Sequence, residues 1–278
     1  MSGLILVTGG SGKTGRRIME TLENTGVPYR EAARRGAGPK AAHFDWLDRS
    51  TWEAALDGTS AVYLLSPTMS EDPAPLLIDF VKKAMSMDIR RFVLQSASLL
   101  PAGGPAMGKV HQWLADNAPE WAVLRPSWFM QNFSEGAHIR TIRAEGKIYS
   151  AAGDGPLPFI HVGDIARCAV AMLTSEQPAN RDFVLTGADL LTYDDVAQKI
   201  SDAAGRSVVH VRLTLEQLAA AHQKAGLNPI AAHALAAMDD AISKFAENRV
   251  TPCVKDLTGQ DPVRFQTFVN EAVSSWRL

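Results

Sequence analysis

Glycines with the spacing of a nucleotide-binding turn lie near the start of the sequence, in Val7-Thr8-Gly9-Gly10-Ser11-Gly12-Lys13-Thr14-Gly15. Gly10, Gly12 and Gly15 fit the pattern Gly-x-Gly-x-x-Gly. Glycine is needed there because the backbone must turn sharply, come close to a pyrophosphate and seat a helix against a strand. The helix N-terminus then faces the anion. The predicted dinucleotide contacts are Thr8, Gly9, Gly10, Gly12, Lys13, Thr14 and Gly15.

The same segment resembles the end of a triphosphate-binding loop. Ser11-Gly12-Lys13-Thr14 would complete Gly-x-x-x-x-Gly-Lys-Ser/Thr, but that motif needs a glycine five positions before Gly12. Val7 stands there. We therefore exclude a nucleoside triphosphatase.

Two arginines follow the second predicted strand, which covers residues 29–33. At this position an acidic residue binds the ribose hydroxyls of NAD, whereas arginine accommodates the 2′-phosphate of NADP. Arg34 and Arg35 offer charge-assisted hydrogen bonds to phosphate and a flat surface for adenine, so NADP(H) is the expected cofactor. Glu31 is the competing signal, but it falls in the middle of the strand. Asp45, after a third short strand, is placed to meet the adenine amino group.

The sequence lacks the usual proton donor of reductases with this general build, a Tyr-x-x-x-Lys pair in which lysine lowers the tyrosine pKa. None of the four tyrosines has lysine four residues later. The remaining candidates are Ser96, with Ser98 nearby at the end of the fifth strand, and Lys109 and His111 at the start of a helix. An iminium acceptor would need no strong acid, because hydride transfer neutralises it.

Ligands of parallel sheets sit beyond the carboxyl ends of the strands. Residues at or just after these ends, together with Lys109 on the following helix, complete the predicted cofactor contacts: Leu65, Ser66, Pro67, Ser96, Ala97, Lys109, Pro126 and Trp128. An aromatic loop after the sixth strand predicts a flat apolar pocket for a planar substrate. Its predicted residues are Trp128, Phe129, Asn132 and Phe133.

Composition excludes several classes of protein. The chain has 278 residues and a net charge of −2, and its basic pairs are scattered, so no nucleic-acid surface is indicated. Cys168 and Cys253 are far apart, which indicates neither a disulfide framework nor a zinc site, and no histidine spacing suggests a metal. No apolar run is long enough to cross a membrane, and no charged leader precedes the first strand. We expect a cytoplasmic monomer or homodimer that acts on a small molecule.

Strand-like and helical patterns alternate over most of the chain. Helices dominate after about residue 187, and two of them are predicted over residues 231–247 and 262–276. Such alternation predicts an α/β fold with a Rossmann-type, doubly wound parallel sheet. We predict an NADP-binding domain over residues 1–187 and a smaller, mostly helical C-terminal lobe over residues 188–278 that covers the substrate. A loop near residues 150–158, rich in glycine and proline, is expected to cross to the second lobe.

Several segments together resemble the NmrA-like branch of the atypical short-chain dehydrogenase/reductases, and within it the ergot-alkaloid reductases. The matching segments run almost from end to end. The most specific are Phe44-Asp45-Trp46-Leu47-Asp48, Lys109-Val110-His111, the run from Arg125 to Phe133, and the run from Leu190 to Ala197.

The resemblance implies reduction by NADPH, in this subgroup of an iminium formed from an amine and an aldehyde. Other members of the branch reduce quinones, and some bind NADP only to sense redox state, so these remain the alternatives. Many enzymes of the branch carry a lysine on the helix that holds His111. Here Gln112 takes that position and Lys109 lies one turn upstream, a departure that fits an acceptor needing little protonation.

Overall fold

The computed structural model describes residues 3–35, 38–67 and 72–277, which form two compact units. The first unit comprises Met1–Pro126, Val162–Leu185 and Cys253–Gln260. The second comprises Ser127–His161, Thr186–Pro252 and Asp261–Leu278. The division therefore differs from the single boundary expected near residue 187, because each unit is assembled from three separate segments. The glycine- and proline-rich loop expected to cross between lobes lies wholly in the second unit.

The strands, in chain order, are β1 (Leu4–Thr8), β2 (Tyr29–Ala33), β3 (Ala41–His43), β4 (Thr59–Leu64), β5 (Arg91–Gln95), β6 (Glu120–Pro126), β7 (Lys147–Ser150), β8 (Arg181–Leu185) and β9 (Val209–Arg212). The α-helices are α1 (Lys13–Asn24), α2 (Trp52–Leu56), α3 (Ala74–Met85), α4 (Met107–Asn117), α5 (Ile139–Glu145), α6 (Val162–Thr174), α7 (Tyr193–Ala204), α8 (Leu215–Lys224), α9 (Pro229–Ser243), α10 (Cys253–Thr258) and α11 (Phe265–Ala272). Short 3-10 helices cover Arg49–Thr51, Met130–Asn132 and Val273–Ser275.

The first unit contains a parallel sheet with the strand order β3-β2-β1-β4-β5-β6-β8. The order reverses between β1 and β4, which is the switch point where ligands of such sheets bind. β1 is buried from Ile5 onward, as expected for a central strand covered by helices on both faces. The predicted Rossmann-type fold is confirmed.

Predicted and observed elements agree in type and differ in their ends. The helix expected over residues 231–247 is α9, and it begins two residues earlier. Asn228 accepts the N–H of Ala231 at 2.8 Å, and Pro229 occupies the first helical position, where its missing N–H costs nothing. The helix expected over residues 262–276 is shorter and continues as a 3-10 turn.

The second unit is mainly helical, with a two-stranded parallel sheet of β7 and β9. Aromatic rings fill its core, and the indole N–H of Trp276 donates to the carbonyl of Phe133 at 2.7 Å. Capping boxes begin α7 at Thr192 and α8 at Thr214. Each cap satisfies N–H groups that a helix start leaves unbonded, so these helices start where the sequence indicates.

The described part of the chain has neither a helix that could span a membrane nor a cluster of side chains that could hold a metal ion. None of its helices has the length and apolar character needed to cross a bilayer. Likewise, no group of three or more histidine, cysteine or acidic side chains in the described ranges is arranged to hold a metal ion.

Candidate functional site

The glycine loop between β1 and α1 has the geometry of a close-approach turn. Gly9 lies in the left-handed region with φ 68°, and the N–H of Gly12 donates to its carbonyl at 2.9 Å. A Cβ placed on Gly15 would lie 2.2 Å from that same carbonyl oxygen. The first turn of α1 therefore lies directly against the loop, and a side chain at Gly15 would collide with backbone.

The first turn of α1 is suited to an anion. Gly12 is its N-cap residue and provides no side-chain cap, so no N-cap side chain competes with an anion for the N–H groups at this end. Lys13 is half-buried here, and its pKa is lowered by burial and then by the neighbouring Arg16 and Arg17. Backbone donors and positive charge together fit the diphosphate of a dinucleotide.

Thr8 ties β1 to β4 at the carboxyl edge of the sheet. Its hydroxyl donates to the carbonyl of Tyr63 at 2.9 Å and accepts the N–H of Leu65 at 2.8 Å. Leu65, Ser66 and Pro67 then leave the strand half-buried. Tyr63 itself is fully buried and donates its hydroxyl to Gln95 at 2.6 Å, so it is not exposed to a ligand.

Both arginines that follow β2 are exposed at the same edge. The carbonyl of Arg34 contacts Nδ1 of His43 at 3.0 Å, which holds the turn after the strand. Within residues 3–35, 38–67 and 72–277, neither Arg34 nor Arg35 has an acidic partner. Their guanidinium groups can therefore pair with a phosphate without first breaking an ion pair.

The side chain of Glu31 extends from the middle of β2 to the glycine loop. The residue lies in the middle of β2, as expected, but a Cβ on Gly10 would meet its Oε1 at 2.6 Å. The carboxylate thus lies over the glycine loop, close to where an NAD ribose would require an acid. This edge of the sheet therefore has an acid that would suit NAD and two arginines that would suit NADP. Only the arginines can bind a 2′-phosphate.

Asp45 follows β3 and is held in a tight turn. Its Oδ1 accepts the N–H of Leu47 at 2.9 Å, and its carbonyl accepts the indole N–H of Trp52 at 3.1 Å. The side chain is half-buried at the carboxyl edge. An interaction with adenine remains a prediction.

Among the candidates for proton transfer, Ser96 lies at the carboxyl end of β5, followed by the half-buried Ala97. The Ser96 hydroxyl is buried and has no hydrogen-bond partner in the described structure. Pro126 ends β6 at the same edge, and its carbonyl accepts the N–H of the buried Ser98 at 3.0 Å. Lys109 is exposed on α4 and donates to Asp72 at 2.6 Å.

His111 lies in the core rather than at a ligand-facing position. Its side chain is 3% exposed and packs on Trp121, with 5.8 Å between ring centroids. Burial lowers its pKa, an effect that nearby Asp182 opposes and Arg125 reinforces. α4 presents this residue to the sheet because positions 107, 110, 111 and 114 share one buried face. We therefore leave His111 out of the proposed catalytic groups.

The aromatic loop after β6 belongs to the second unit and divides into two parts. Trp128, Phe129 and Asn132 are half-buried and offer surface to a ligand. Phe133 is fully buried in the aromatic core, with its ring 5.3 Å from Phe159. Its expected role in the substrate pocket is replaced by a packing role.

Two buried acids hold the start of this loop. The hydroxyl of Ser127 donates to Glu247 at 3.0 Å, and the same carboxylate pairs with Arg249 at 3.2 Å. The indole N–H of Trp128 donates to Asp239 at 3.2 Å. Burial raises the pKa of Asp239 to about 6.

Sequence reasoning missed Asp239, although a signal was present. Ala232, Ala236 and Ile242 form the buried face of α9, and Asp239 falls on that face. An acidic residue at helical spacing within an apolar stripe departs from the usual pattern.

In the second unit a serine, a histidine and an aspartate lie in a row, as they do in the catalytic triad of serine hydrolases. Ser150 Oγ lies 2.8 Å from His210 Nε2, and His210 Nδ1 lies 3.4 Å from Asp194. Ser150 is fully buried, so it does not present a nucleophile. The row connects β7, β9 and α7.

Comparison with known proteins gives relatives that match nearly the whole chain. The chain is 42% identical over 287 residues to agroclavine dehydrogenase of Claviceps fusiformis, and the match covers 99% of both sequences. It is 40% identical over 291 residues to festuclavine dehydrogenase of Aspergillus fumigatus, covering 98% of each. No family model matches.

Solved structures share the fold at lower sequence identity. A quinone oxidoreductase of Escherichia coli, crystallised with NADPH, superposes with a TM-score of 0.80 at 22% identity. The match covers 96% of this chain and 99% of that protein.

Proposed function

Because the chain belongs to the oxidoreductase family of the agroclavine and festuclavine dehydrogenases, we propose that it is an NADPH-dependent reductase of a small cyclic iminium. When bound, NADPH supplies a hydride to the carbon of the C=N bond, whose electron pair moves to nitrogen and leaves a neutral amine. This acceptor class agrees with a candidate site that lacks a Tyr-x-x-x-Lys pair.

The observation that carries the proposal is the arrangement of the sheet edge. The open N-terminus of α1 offers N–H donors to a diphosphate, and the arginines after β2 offer charge to a 2′-phosphate. Thr8, Leu65, Ser66, Pro67, Ser96, Ala97 and Pro126 follow or end neighbouring strands and would complete the cofactor contacts. Asp45 would receive the adenine amino group.

The acceptor would bind to the half-buried part of the aromatic loop. Trp128 and Phe129 offer flat rings for a planar molecule, and Asn132 offers a polar group. Ser96, whose hydroxyl has no hydrogen-bond partner in the described structure, stays a predicted catalytic group at the carboxyl end of β5. No group needs to deliver a proton to an iminium.

The direct test is oxidation of NADPH by a panel of cyclic iminium salts, enones and quinones, followed by loss of NADPH absorbance. We expect the iminium salts to be reduced with the highest kcat/KM. Binding of NADPH without turnover of any acceptor would contradict a catalytic role. Preference for the quinones would favour the quinone-reductase alternative.

Replacing Arg34 with alanine should weaken NADPH binding by about 10- to 100-fold, because a charge-assisted phosphate contact contributes about 1.5–3 kcal/mol. NADH has no 2′-phosphate, so its affinity should change by less than about threefold. Calorimetric titration with each coenzyme measures both values.

Arg90→Ala is the matched control for this experiment. Arg90 is an exposed arginine just before β5, at the opposite edge of the same sheet. It should leave both affinities unchanged. Equal losses for NADPH and NADH in Arg34→Ala would mean that the 2′-phosphate lies elsewhere.

Replacing Lys109 with alanine should lower turnover by about tenfold if its ammonium orients the ribose or the acceptor. Its ion pair with Asp72 is surface-exposed, with side chains 53% and 43% accessible. Such pairs contribute under about 1 kcal/mol, so the lysine can leave Asp72 for a ligand. Steady-state kinetics measure the effect, with Asp72→Asn as the control that retains the ammonium. Unchanged kinetics in Lys109→Ala would reduce this residue to a surface position.

A further inference from the structure

Asp239 is a carboxylate inside the second unit. It projects from the same face of α9 as Ala232, Ala236 and Ile242, and its side chain is 8% exposed. A position on an apolar helix face normally holds an apolar residue, because burying a charge is costly unless it is paired. The presence of an acid here calls for a partner.

The partners that the structure provides are neutral. Oδ1 accepts the indole N–H of Trp128 at 3.2 Å, and Oδ2 accepts the backbone N–H of Ala151 at 3.4 Å. The pKa of the buried Tyr193 is raised by burial and then by the charge of Asp239. Across the described ranges, no lysine, arginine or histidine forms an ion pair with this carboxylate.

Glu247 provides the contrast within the same unit. It is also buried and also binds the start of the aromatic loop, through Ser127, but it pairs with the guanidinium of Arg249 at 3.2 Å. Among the residues that the structure describes, Glu247 therefore has a cationic partner and Asp239 has none. A buried carboxylate with only neutral donors is suited to a cation supplied by a ligand.

We propose that Asp239, with the indole of Trp128 beside it, is the specificity-determining counter-ion for a cationic acceptor. An aromatic ring next to a carboxylate is a recurrent way to bind an organic cation, because the ring face and the anion both attract it. This inference rests on the proposed function, and it identifies what selects an iminium over a neutral acceptor.

The role predicts a particular split between binding and turnover. The positive charge of an iminium diminishes as hydride is added, so a counter-ion stabilises the bound acceptor more than the transition state. Removing it should raise KM and leave kcat unchanged or slightly higher. A proton donor would behave in the opposite way, since its loss lowers kcat.

The test compares Asp239→Asn with wild type on two acceptors, an N-methyl dihydroisoquinolinium salt and the neutral quinone menadione. We expect KM for the cation to rise by about tenfold or more and KM for menadione to stay within about twofold. Asp240→Asn is the matched control, because Asp240 is the next residue of α9 and already pairs with Lys244 at 2.6 Å. It should change neither value.

Binding without turnover provides an independent measurement. The same cation is titrated calorimetrically into the complex with NADP⁺, in which no hydride is available. Wild type should bind it about tenfold more tightly than Asp239→Asn. Trp128→Phe retains a ring and removes the indole donor, so it shows whether the effect arises only from moving the loop. We expect Trp128→Phe to keep the preference for the cation.

Three results would overturn the inference. They are equal losses for the cation and menadione in Asp239→Asn, a fall in kcat at constant KM, and loss of cation preference in Trp128→Phe to the same extent as in Asp239→Asn. If wild type reduces neither acceptor, the proposed function fails, and the calorimetric titration still decides whether Asp239 binds a cation.

Discussion

Gly15→Ala should abolish measurable NADPH binding, weakening it by about 100-fold or more. A Cβ at this position would lie 2.2 Å from the carbonyl oxygen of Gly9 and 2.9 Å from Cα of Gly10. Both neighbours are backbone, so the collision is relieved only by moving the loop away from α1. That movement displaces the N–H groups that would hold the diphosphate. Calorimetric titration with NADPH measures the loss.

The same substitution should lower the free energy of unfolding by about 1–3 kcal/mol, as overpacking usually does. Gly10→Ala is the packing control, because its added Cβ would meet side-chain atoms of Glu31, from Cγ at 2.7 Å to Oε1 at 2.6 Å, and a side chain can change rotamer where backbone cannot. Urea unfolding should show a loss below about 1 kcal/mol for that control. Unimpaired NADPH binding by Gly15→Ala would place the diphosphate away from this loop.

The second large effect concerns how Asp239 changes stability with pH. Burial raises its pKa from the usual 3.8 to about 6. Below both values the carboxyl is protonated in the folded and the unfolded chain, and it imposes no penalty. Above about pH 6 it is ionised in both, and the folded state bears a cost of about 3 kcal/mol. Wild type should therefore lose stability relative to Asp239→Asn as the pH rises from about 4 to 7.

Urea unfolding of both proteins across this pH range measures the change in their difference. The Asn variant replaces an acceptor for the Ala151 N–H by an amide, which costs about 1 kcal/mol at every pH and does not alter the pH dependence. Asp240→Asn should follow wild type throughout. A constant difference between wild type and Asp239→Asn would show that Asp239 does not titrate in this range.

Some parts of the site follow from local sequence and others do not. The glycine loop was predictable because Gly9 and Gly15 satisfy conformational and steric demands that other residues cannot meet. The placement of Arg34 after β2 was predictable because a strand end and a parallel sheet fix the edge on which it emerges. Both inferences need only a few neighbouring residues.

Burial and pairing depend on contacts that the local pattern does not contain. His111 and Phe133 have residue types suited to catalysis or a pocket, but packing against Trp121 and Phe159 places them in the core. Asp239 lies 111 residues from Trp128 in the chain, so no motif could join them. Only its position on the buried face of α9 marks it in advance.

The first unit is built from three separate segments of the chain, and this determines when it can be completed during synthesis. Helix α10 packs on α6, and both belong to this unit, yet residues 186–252 of the second unit separate them in the chain. Domains generally fold as they emerge from the ribosome, N-terminal part first. Here most of the nucleotide-binding unit emerges early, but α10 emerges only after residues 186–252, so the first unit is complete only when residues 253–260 have been synthesised.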